Sequence, residues 1–421
     1  MELEKIYQLF IKANGISTDT RDVSKGDIFI ALSGENFNGN TFAEQALEKG
    51  CEYAIVDDAN YVLGKNYILV ENCLFTLQEL AKFHRQKMNI PVIAITGTNG
   101  KTTTKELISA VLSRRFNVIS TIGNLNNHIG VPLTLLRITN AIEIAIIEMG
   151  ANHPGEIDFL CSIALPNHGI ITNIGRAHLE GFGGFEGVKQ TKNELYKYLI
   201  GNDGTIFYNV NNTILKDLLS GITNGIKSYG NEAELLSSDP FLSIIINGKD
   251  KITTKLAGNY NLENVLAAIV IGQFFGVSMS DVKIALENYV PNNQRSQLKQ
   301  TQKNKIIMDC YNANPSSMDA ALNSFNNMTE SQKVVILGDM LELGSESIIE
   351  HSRIVEVLQR MDLEKIILVG ENFCSVSVPA MKCFKNSEEL KVWLSINKLA
   401  GYYILLKGSR GIKLEYIVDE L

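Results

Sequence analysis

Short apolar runs alternate with longer amphipathic segments along most of the chain. The runs are rich in Ile, Val and Leu, as are strands that are buried on both faces of a parallel sheet. The segments between them repeat their apolar positions with the period of a helix that covers a sheet with one face. This alternation predicts an α/β protein built on doubly wound, mainly parallel sheets.

The pattern divides the chain into three parts. We predict strands at 27–32, 53–56 and 67–70, then at 92–95, 118–120, 145–147, 169–172, 205–208 and 242–246, and finally at 305–308, 333–337, 365–369 and 403–406. Helices are predicted at 42–49, 75–88, 187–199, 266–275, 317–328, 348–361 and 388–396. With 421 residues the chain is too long for one core of typical size. Because the polar stretch 291–296 breaks both periodicities, we expect a first domain at 1–88, a central domain at 89–295 and a last domain at 296–421.

Composition and charge narrow the class of protein. Hydrophobic residues make up 45% of the chain and the mean hydropathy is close to zero, as in soluble globular proteins. No apolar run is long enough to span a bilayer, and the N-terminus lacks the basic and apolar regions of a signal peptide. We therefore expect a cytoplasmic protein with no membrane segment. The net charge of -7 argues against general nucleic-acid binding.

The cysteines do not form a recognisable site. They occur at positions 51, 73, 161, 310, 374 and 383, with neither a C-x-x-C pair nor the spacing of a zinc site. In a cytoplasmic protein such cysteines are reduced structural thiols. We expect that state here, with no metal bound by cysteine.

Residues 96–104, with the sequence TGTNGKTTT, lie between an apolar run and an amphipathic segment. In a glycine-rich turn of this kind, backbone N–H groups and a helix N-terminus converge on one spot and bind phosphate. Lys101 would reach the terminal phosphate oxygens, and the hydroxyl of Thr102 would ligate magnesium. The general P-loop pattern has glycine where this chain has Ile95, so an ordinary strand-to-helix turn is the alternative.

Polar residues also follow neighbouring predicted strands. Glu148 ends the run 144–147, at the edge where open α/β sheets bind ligands, and this places it near a metal held by Thr102. The alternative role for Glu148 is to cap the next helix. His178 lies in the polar loop after another strand and is a candidate metal or phosphate partner. An isolated histidine is, however, more often packed or on the surface.

Further polar clusters indicate a second binding surface. Clusters at 309–315, 338–344 and 407–411 each follow a predicted strand of the last domain, which predicts a binding cleft facing the central domain. The polar stretches 17–21 and 34–40 of the first domain also flank strand ends, although solvated loops would have the same composition.

Asn261 and Asn264 are three residues apart and so share one face near the start of a predicted helix. Their amide groups suit hydrogen bonds to the edge of a base. Simple capping of the helix is the alternative explanation for both residues. Lys192 lies on the predicted helix 187–199, where the pattern alone does not distinguish it from other lysines on a solvated face.

Taken together, the motifs resemble those of the Mur ligase family, the ATP-dependent peptide-bond-forming enzymes of peptidoglycan synthesis. The motifs are 19–21, 26–29, 96–106, 126–132, 148–152, 311–315, 338–340 and 407–410, so the resemblance covers essentially the whole chain. The ligase for the third amino acid typically carries an Asp-Asn-Pro-Arg element in its last domain, and no such element occurs in this chain. The resemblance implies three α/β domains. It also implies an enzyme that joins D-alanyl-D-alanine to the terminal carboxylate of UDP-N-acetylmuramoyl-tripeptide through an acyl phosphate.

The resemblance further implies roles for individual residues. ATP would be bound by Gly97, Thr98, Asn99, Gly100, Lys101, Thr102, Thr103, Asn261, Asn264, Arg295 and Asp309. Two Mg²⁺ ions would be ligated by Thr102, Glu148, His178 and a carbamylated Lys192, and the catalytic set would be Lys101, Glu148, His178 and Lys192. The UDP-sugar would contact Thr18, Arg21, Asn40, Asn126 and Asn127. D-Alanyl-D-alanine would contact Asn312, Asn314, Lys407, Ser409 and Arg410.

Two positions depart from the family pattern. The first-domain loop has Asn38-Gly39-Asn40 where the family has Asp-Gly-His, and Gln294 precedes Arg295 where the family has glycine. Three alternatives stay open: the ligase for the third amino acid, an amide ligase similar to folyl-polyglutamate synthetase, and a nucleotide-dependent binding or switch protein. We expect a monomer whose partners are small-molecule substrates.

Overall fold

The computed structural model describes residues 2–421. The first domain is built on a small parallel sheet of four strands. The elements of the first domain are α1 (Leu3–Phe10), β1 (Ile16–Ser17), β2 (Ile28–Ile30), α2 (Ala43–Glu48), β3 (Tyr53–Val56), β4 (Tyr67–Leu69) and α3 (Cys73–Lys87). The strand order is β1-β2-β3-β4, and every pair is parallel. All three predicted strands of this domain are confirmed, with bounds that differ by up to two residues.

The central domain is a doubly wound parallel sheet, as the alternation of apolar runs predicts. Its first elements are β5 (Val92–Thr96), α4 (Lys101–Leu112), β6 (Val118–Ser120), α5 (Gly130–Leu135), β7 (Ile144–Glu148), α6 (Glu156–Ala164), β8 (His168–Ile171), α7 (Leu179–Phe182), α8 (Phe185–Gly201), β9 (Thr205–Asn209), α9 (Thr213–Leu218) and β10 (Ile226–Tyr229). The strand order is β10-β9-β8-β5-β7-β6. Strand β5 therefore lies where the order reverses, and open α/β sheets bind ligands beyond the carboxyl ends of the strands at such a point.

A second layer completes the central domain. It contains β11 (Ala233–Ser237), β12 (Ser243–Ile246), β13 (Asp250–Thr253), α10 (Leu262–Phe274) and α11 (Met279–Asn288). The three strands form an antiparallel sheet, of which only β12 matches a predicted strand. Strand β11 is largely exposed, so it lacks the continuous apolar run by which a buried strand is recognised. Helix α10 is mostly buried and packs against α4.

The last domain has a mixed sheet of six strands. Its elements are β14 (Gln297–Gln300), β15 (Lys305–Asp309), α12 (Pro315–Asn326), β16 (Lys333–Gly338), α13 (Ser347–Gln359), β17 (Lys365–Val369), α14 (Glu371–Val376), β18 (Lys382–Phe384), α15 (Ser387–Ile396) and β19 (Tyr403–Lys407). The order is β14-β15-β19-β16-β17-β18, with only β14 antiparallel to its neighbour. Because β15, β19 and β16 are adjacent and parallel, the three predicted polar clusters do start from one edge of the sheet.

Short 3-10 helices connect several of these elements. They lie at Gly39–Phe42, Ala59–Tyr61, Asn259–Asn261, Gly344–Glu346, Arg410–Ile412 and Leu414–Glu420. The first domain is joined to the central one by α3, which packs against α5 and α6. The buried guanidinium of Arg85 on α3 donates hydrogen bonds to the carbonyl oxygens of Ala164 (3.1 Å) and Leu165 (3.2 Å). These bonds satisfy carbonyl groups at the C-terminal end of α6.

The expectation that the cysteines are all reduced thiols is wrong. Cys374 and Cys383 form a disulfide that links α14 to β18, whereas the other four cysteines are free and buried. The pairing depends on how β18 docks beside β17, which the sequence spacing of the two cysteines does not reveal. Within residues 2–421, no helix combines the length and the apolar character needed to cross a membrane.

Candidate active site

The turn between β5 and α4 depends on two glycines. Gly97 and Gly100 have φ values of 140° and 80°, which side chains rarely tolerate. A Cβ atom on Gly97 would lie 2.1 Å from the Thr172 Oγ1 atom, and one on Gly100 would lie 2.5 Å from the Asn264 Oδ1 atom. Both positions therefore require glycine for two reasons, backbone conformation and close packing.

The same turn is tied to the loop after β8. The backbone N–H groups of Thr98 and Asn99 donate to the carbonyl oxygen (2.9 Å) and the side-chain oxygen (3.0 Å) of Asn173. The Thr172 hydroxyl donates to the carbonyl oxygen of Asn99 at 2.6 Å. Asn173 was not predicted as a site residue. Its position directly after the predicted strand 169–172 could have indicated that its side chain contacts the neighbouring turn. These bonds hold the turn in one conformation.

Lys101 folds back over the turn. Its Nζ atom donates to the carbonyl oxygens of Gly97 (2.7 Å) and Thr98 (3.1 Å). Loss of hydration lowers the pKa of Lys101 to about 8, while the nearby carboxylate of Glu148 acts in the opposite direction. The positive charge of Arg295 adds to the lowering. The amine therefore remains mainly charged at neutral pH, as binding of phosphate requires.

Glu148 is almost completely buried at the carboxyl end of β7. Its Oε1 atom accepts a hydrogen bond from the Asn126 Nδ2 atom at 2.8 Å. Its Oε2 atom is buried and has no hydrogen-bond partner among residues 2–421. A buried carboxylate oxygen without a partner is costly, so this atom fits a cation. The side chain does not cap the next helix, α6, for which Gly155 is the N-cap residue.

His178 and Lys192 lie near the turn but in different surroundings. His178 precedes α7, and its Nδ1 atom contacts the carboxylate of Glu342 in the last domain. Burial lowers the pKa of His178, Glu342 opposes that effect, and the charges of Lys101 and Lys192 add to it. Lys192 on α8 is 3% exposed and lies over the ring of Phe182.

Lys192 is an unusual lysine because no hydrogen bond or ion pair of its amine is found within residues 2–421. Burial and, to a smaller extent, the charge of Lys101 lower its pKa, Glu156 and Glu194 act in the opposite direction, and the resulting pKa is about 7. A large part of the amine is therefore neutral at pH 7. A neutral amine is a nucleophile, which an ordinary surface lysine at this pH is not.

No group of three or more His, Cys, Asp or Glu side chains within residues 2–421 is arranged to hold a metal ion. The predicted magnesium ligands are instead a threonine hydroxyl, one carboxylate, one imidazole and a lysine that would bind metal in its carbamylated form. Such a set binds Mg²⁺ only with further oxygen ligands, which ATP phosphates and a carbamate would supply. The partnerless oxygen of Glu148 is the observation that fits this donor set.

A cleft of about 930 Å³ connects these residues to the last domain. The predicted site residues that line it are Thr98, Asn99, Gly100, Lys101, Thr102, Thr103, Asn126, Asn127, Glu148, His178, Asn261, Asn264, Arg295, Asp309, Asn312, Asn314 and Lys407. Residues that lie outside its lining are Thr18, Arg21, Asn40, Gly97, Lys192, Ser409 and Arg410. The structure thus brings together most of the predicted residues of the central and last domains but none of those of the first.

Asn261 and Asn264 form a buried relay. The Nδ2 atom of Asn261 donates to the carbonyl oxygen of Ala257 (2.8 Å), and its Oδ1 atom accepts from the Nδ2 atom of Asn264 (2.9 Å). The Oδ1 atom of Asn264 accepts from the hydroxyl of Thr104 on α4 at 3.0 Å. Asn261 is the N-cap residue of α10, but its side chain makes no capping hydrogen bond. The relay links the cleft to the helix that follows the phosphate turn.

Arg295 packs on an aromatic ring that the sequence interpretation did not single out. Its guanidinium lies 3.9 Å from the centre of the Tyr311 ring, and that of Arg410 lies 5.2 Å from the same ring. The Nε atom of Arg295 is buried without a hydrogen-bond partner among the described residues. Tyr311 lines the cleft and belongs to the polar cluster 309–315 that follows β15. Its membership of that cluster could have identified it as a site residue from the sequence.

The last domain closes directly onto the phosphate turn. The Nδ2 atom of Asn314 donates to the Oδ1 atom of Asn99 at 2.8 Å, while its Oδ1 atom caps α12 by accepting from the N–H group of Ser317. Ser409 is buried, and its hydroxyl accepts from the N–H group of Leu341 at 3.0 Å. Asn314 is therefore both a helix cap and an interdomain contact.

The first-domain residues are engaged with their own neighbours. Arg21 is exposed, and its Nε atom donates to the Oδ1 atom of Asp19 at 2.9 Å. Asn40 is buried, donates to Asp57 Oδ1 (2.8 Å) and Asn38 Oδ1 (2.9 Å), and accepts from the N–H group of Asp57 (3.0 Å). The amide of Asn40 thus fastens its loop to the residue after β3. Contact of these residues with a UDP-sugar stays a prediction.

The folds and the cleft define a three-domain α/β protein in which a glycine-rich turn of the central domain lines a cleft facing the last domain. Residues 12–118 match the model of the Mur ligase family catalytic domain, residues 95–272 the Mur ligase middle domain, and residues 294–410 the Mur ligase glutamate ligase domain. The chain belongs to the Mur ligase family. This confirms the resemblance and the predicted fold class.

Similar proteins carry a more specific name. The UDP-N-acetylmuramoyl-tripeptide--D-alanyl-D-alanine ligase of Bacillus subtilis is 36% identical, with 97% of this chain and 93% of the relative covered. The Escherichia coli ligase of the same name is 32% identical, with 98% and 94% covered. A crystal structure of MurF from Acinetobacter baumannii superposes with a TM-score of 0.87 at 30% identity, covering 100% of this chain and 98% of that one. MurF of Thermotoga maritima in complex with ADP has the same fold, with a TM-score of 0.84 at 24% identity, covering 98% and 97%.

Proposed function

We propose that this chain joins D-alanyl-D-alanine to the terminal carboxylate of UDP-N-acetylmuramoyl-tripeptide, converting ATP to ADP and phosphate, in peptidoglycan precursor synthesis. The observation that carries the proposal is the cleft in which Lys101 and Glu148 face Asn312 and Lys407 of the last domain. Full-length relatives with this name support the choice of substrates. Segments 1–88, 89–295 and 296–421 would bind the UDP-sugar, ATP and the amine, respectively.

The reaction needs activation because a carboxylate is a poor electrophile. An oxygen of the peptide carboxylate attacks the γ-phosphorus of ATP, and ADP leaves. The amine nitrogen of D-alanyl-D-alanine then attacks the carbonyl carbon of the acyl phosphate, loses a proton and expels phosphate, which leaves the new amide. The protein supplies positioning and neutralisation of charge. Lys101 would neutralise phosphate charge, and the rigid turn would align the γ-phosphate.

Magnesium fits the donor set of the central domain. Thr102 and Glu148 would hold one ion, and the partnerless Oε2 atom of Glu148 supports this assignment. His178 and a modified Lys192 would hold a second ion. When bound, the ions supply positive charge that offsets the charge developing on the transferred phosphoryl group.

Carbamylation would turn Lys192 from a cation into a metal ligand. The lone pair of a neutral Nζ atom attacks the carbon of CO₂, one C=O electron pair moves to oxygen, and the nitrogen releases a proton. The product is a carboxylate-like anion. Support comes from the burial of Lys192, its pKa of about 7 and the lack of a carboxylate partner within residues 2–421.

The remaining substrate contacts follow from the lining of the cleft. Asn261, Asn264, Arg295 and Asp309 would contact the nucleotide. Asn126 and Asn127 would contact the muramoyl peptide, together with Thr18, Arg21 and Asn40 of the first domain. The amine would meet Asn312, Asn314 and Lys407, with Ser409 and Arg410 close by. We also propose a cytoplasmic location, because ATP is supplied in that compartment. The proposed oligomeric state is a monomer, which light scattering would test.

A phosphate-release assay tests this function directly. It would use defined UDP-muramoyl-tripeptides that end in lysine or diaminopimelate, with D-alanyl-D-alanine as amine. Release that depends on both substrates is expected. Release that requires a single amino acid instead would favour the ligase for the third residue or a folyl-polyglutamate-synthetase-like enzyme. Phosphate release that needs neither substrate would favour a nucleotide-dependent switch.

A further inference from the structure

His178 is held by a carboxylate from another domain. Its Nδ1 atom contacts the Oε2 atom of Glu342, which lies beyond the end of β16 in the last domain. His178 and Glu342 have φ values of 50° and 62°, in the left-handed region that non-glycine residues seldom adopt. Such strained conformations persist only where the surrounding structure imposes them, and they cluster at functional sites. The contact is therefore a feature that the fold maintains against a local cost.

The last domain also grips the same loop two residues earlier. The backbone N–H group of Arg176 donates to the Ser316 Oγ atom at 2.8 Å. The Arg176 Nη1 atom lies 3.0 Å from the Oε1 atom of Glu350, whose side chain is buried. Ser316, Glu342 and Glu350 all belong to the last domain, so that domain sets the conformation of the loop that carries His178.

A carboxylate that accepts a hydrogen bond from one ring nitrogen of a histidine fixes its tautomer and orientation. Here Glu342 accepts from the Nδ1–H group, which leaves the lone pair on Nε2 for a ligand. His178 lines the cleft, whereas Glu342 does not. His178 can therefore contact an ion bound in the cleft, whereas Glu342 can act on that ion only through His178.

We propose that Glu342 is a positioning residue, which arrives with the last domain and fixes the His178 tautomer that ligates Mg²⁺ through Nε2. The inference rests on the proposed two-metal function and adds a residue to it. Its consequence is that the second metal site becomes complete only when the last domain is docked. Metal binding and domain closure would then favour each other.

Binding of Mn²⁺, followed by electron paramagnetic resonance in the presence of a non-hydrolysable ATP analogue, tests this without relying on activity. The wild-type chain, Glu342→Ala and Glu342→Gln would be compared with Glu346→Ala, a control at another exposed glutamate four residues further on, in the 3-10 helix Gly344–Glu346. Glu342→Ala should weaken the second Mn²⁺ by about 10- to 100-fold and leave the first unchanged. Glu342→Gln should lie between wild type and alanine, because an amide oxygen still accepts from Nδ1–H. Glu346→Ala should bind both ions as wild type does.

Repeating the Glu342→Ala change in a variant that lacks His178 tests whether Glu342 acts through His178. In the His178→Asn variant, the further change Glu342→Ala should not lower the affinity for the second Mn²⁺ any more, because the histidine that Glu342 positions is absent. Equal weakening in both backgrounds would overturn the proposal, as would an unchanged second site in Glu342→Ala while wild type binds two ions. Binding of a single Mn²⁺ by wild type would instead overturn the two-metal function together with this inference.

Discussion

Asp309 and Lys407 are register partners on the adjacent parallel strands β15 and β19, and the Lys407 Nζ atom lies 2.6 Å from the Asp309 Oδ2 atom. The side chain of Lys407 is 1% exposed and that of Asp309 is 15% exposed. Removal of one partner would leave the other charge buried without a counter-ion. Neither residue can therefore be replaced alone without destabilising the edge of the last sheet from which the cleft is built.

Asp309→Asn should lower the free energy of unfolding of the last domain by about 3 kcal/mol, because it isolates the buried Lys407 charge. Trp393 is the only tryptophan and lies in this domain, so urea unfolding followed by its fluorescence measures the change. The exposed pair between Lys305 and Glu330 is the control, and Glu330→Gln should cost less than about 1 kcal/mol. Equal losses in the two variants would contradict the assigned role of the buried pair.

Gly97→Ala should impair ATP binding without unfolding the chain. The new Cβ atom would meet the Thr172 hydroxyl, and a left-handed backbone adds strain of about 1–3 kcal/mol. That strain corresponds to a loss of affinity of about 5- to 150-fold, which calorimetry with an ATP analogue would measure. Gly64→Ala is the control, because no atom lies within 4 Å of its added Cβ. Normal nucleotide affinity in Gly97→Ala would refute the steric argument.

Glu148→Gln should reduce kcat by about 10²- to 10³-fold, the range found when one preorganised electrostatic group is removed. The variant keeps an oxygen that can accept from Asn126, so folding should be preserved while the charge that suits a cation is lost. Phosphate release at saturating Mg²⁺ measures the effect. Glu234→Gln, an exposed change on β11, should leave the rate unaltered. A similar rate in both variants would exclude Glu148 from the catalytic site.

Lys192 gives the enzyme a dependence on pH and CO₂. Below its pKa of about 7 the ammonium form predominates and cannot attack CO₂, so the carbamate and the activity should decline as the pH falls. Added bicarbonate should restore part of the rate at low pH in wild type but not in Lys192→Ala. Lys189→Ala, on the same helix, serves as control. Full activity of Lys192→Ala together with no bicarbonate effect would remove carbamylation from the mechanism.

The segment between the central and last domains should act as a hinge. Gln294 and Ser296 flank Arg295 with φ values of 58° and 52°, so the backbone is strained on both sides of the arginine. We expect ATP binding to favour the closed arrangement, in which Asn314 contacts Asn99. Small-angle scattering with and without a non-hydrolysable analogue would measure the closure. Identical profiles would count against a hinge at this position.

Local patterning predicted the strands that are buried, but not the exposed ones. Strands β5, β7 and β19 are buried at every residue, and each is recognisable from an apolar run that ends in one polar residue. The partly exposed strands β11 and β13 were missed, since they lack that pattern and depend on pairing with β12. The phosphate turn was recognisable because its function requires particular residues at fixed spacing along the chain.

The sequence by itself determined the α/β architecture, the Mur ligase resemblance and the residues of the phosphate turn. These properties are local, since they arise from hydrophobic period and from short motifs. Only the tertiary structure decided that Glu342 reaches His178, that Lys192 is buried without a carboxylate partner within residues 2–421, and that Cys374 pairs with Cys383. Each depends on the docking of distant segments, and burial and electrostatic interactions exist only once those segments are packed together.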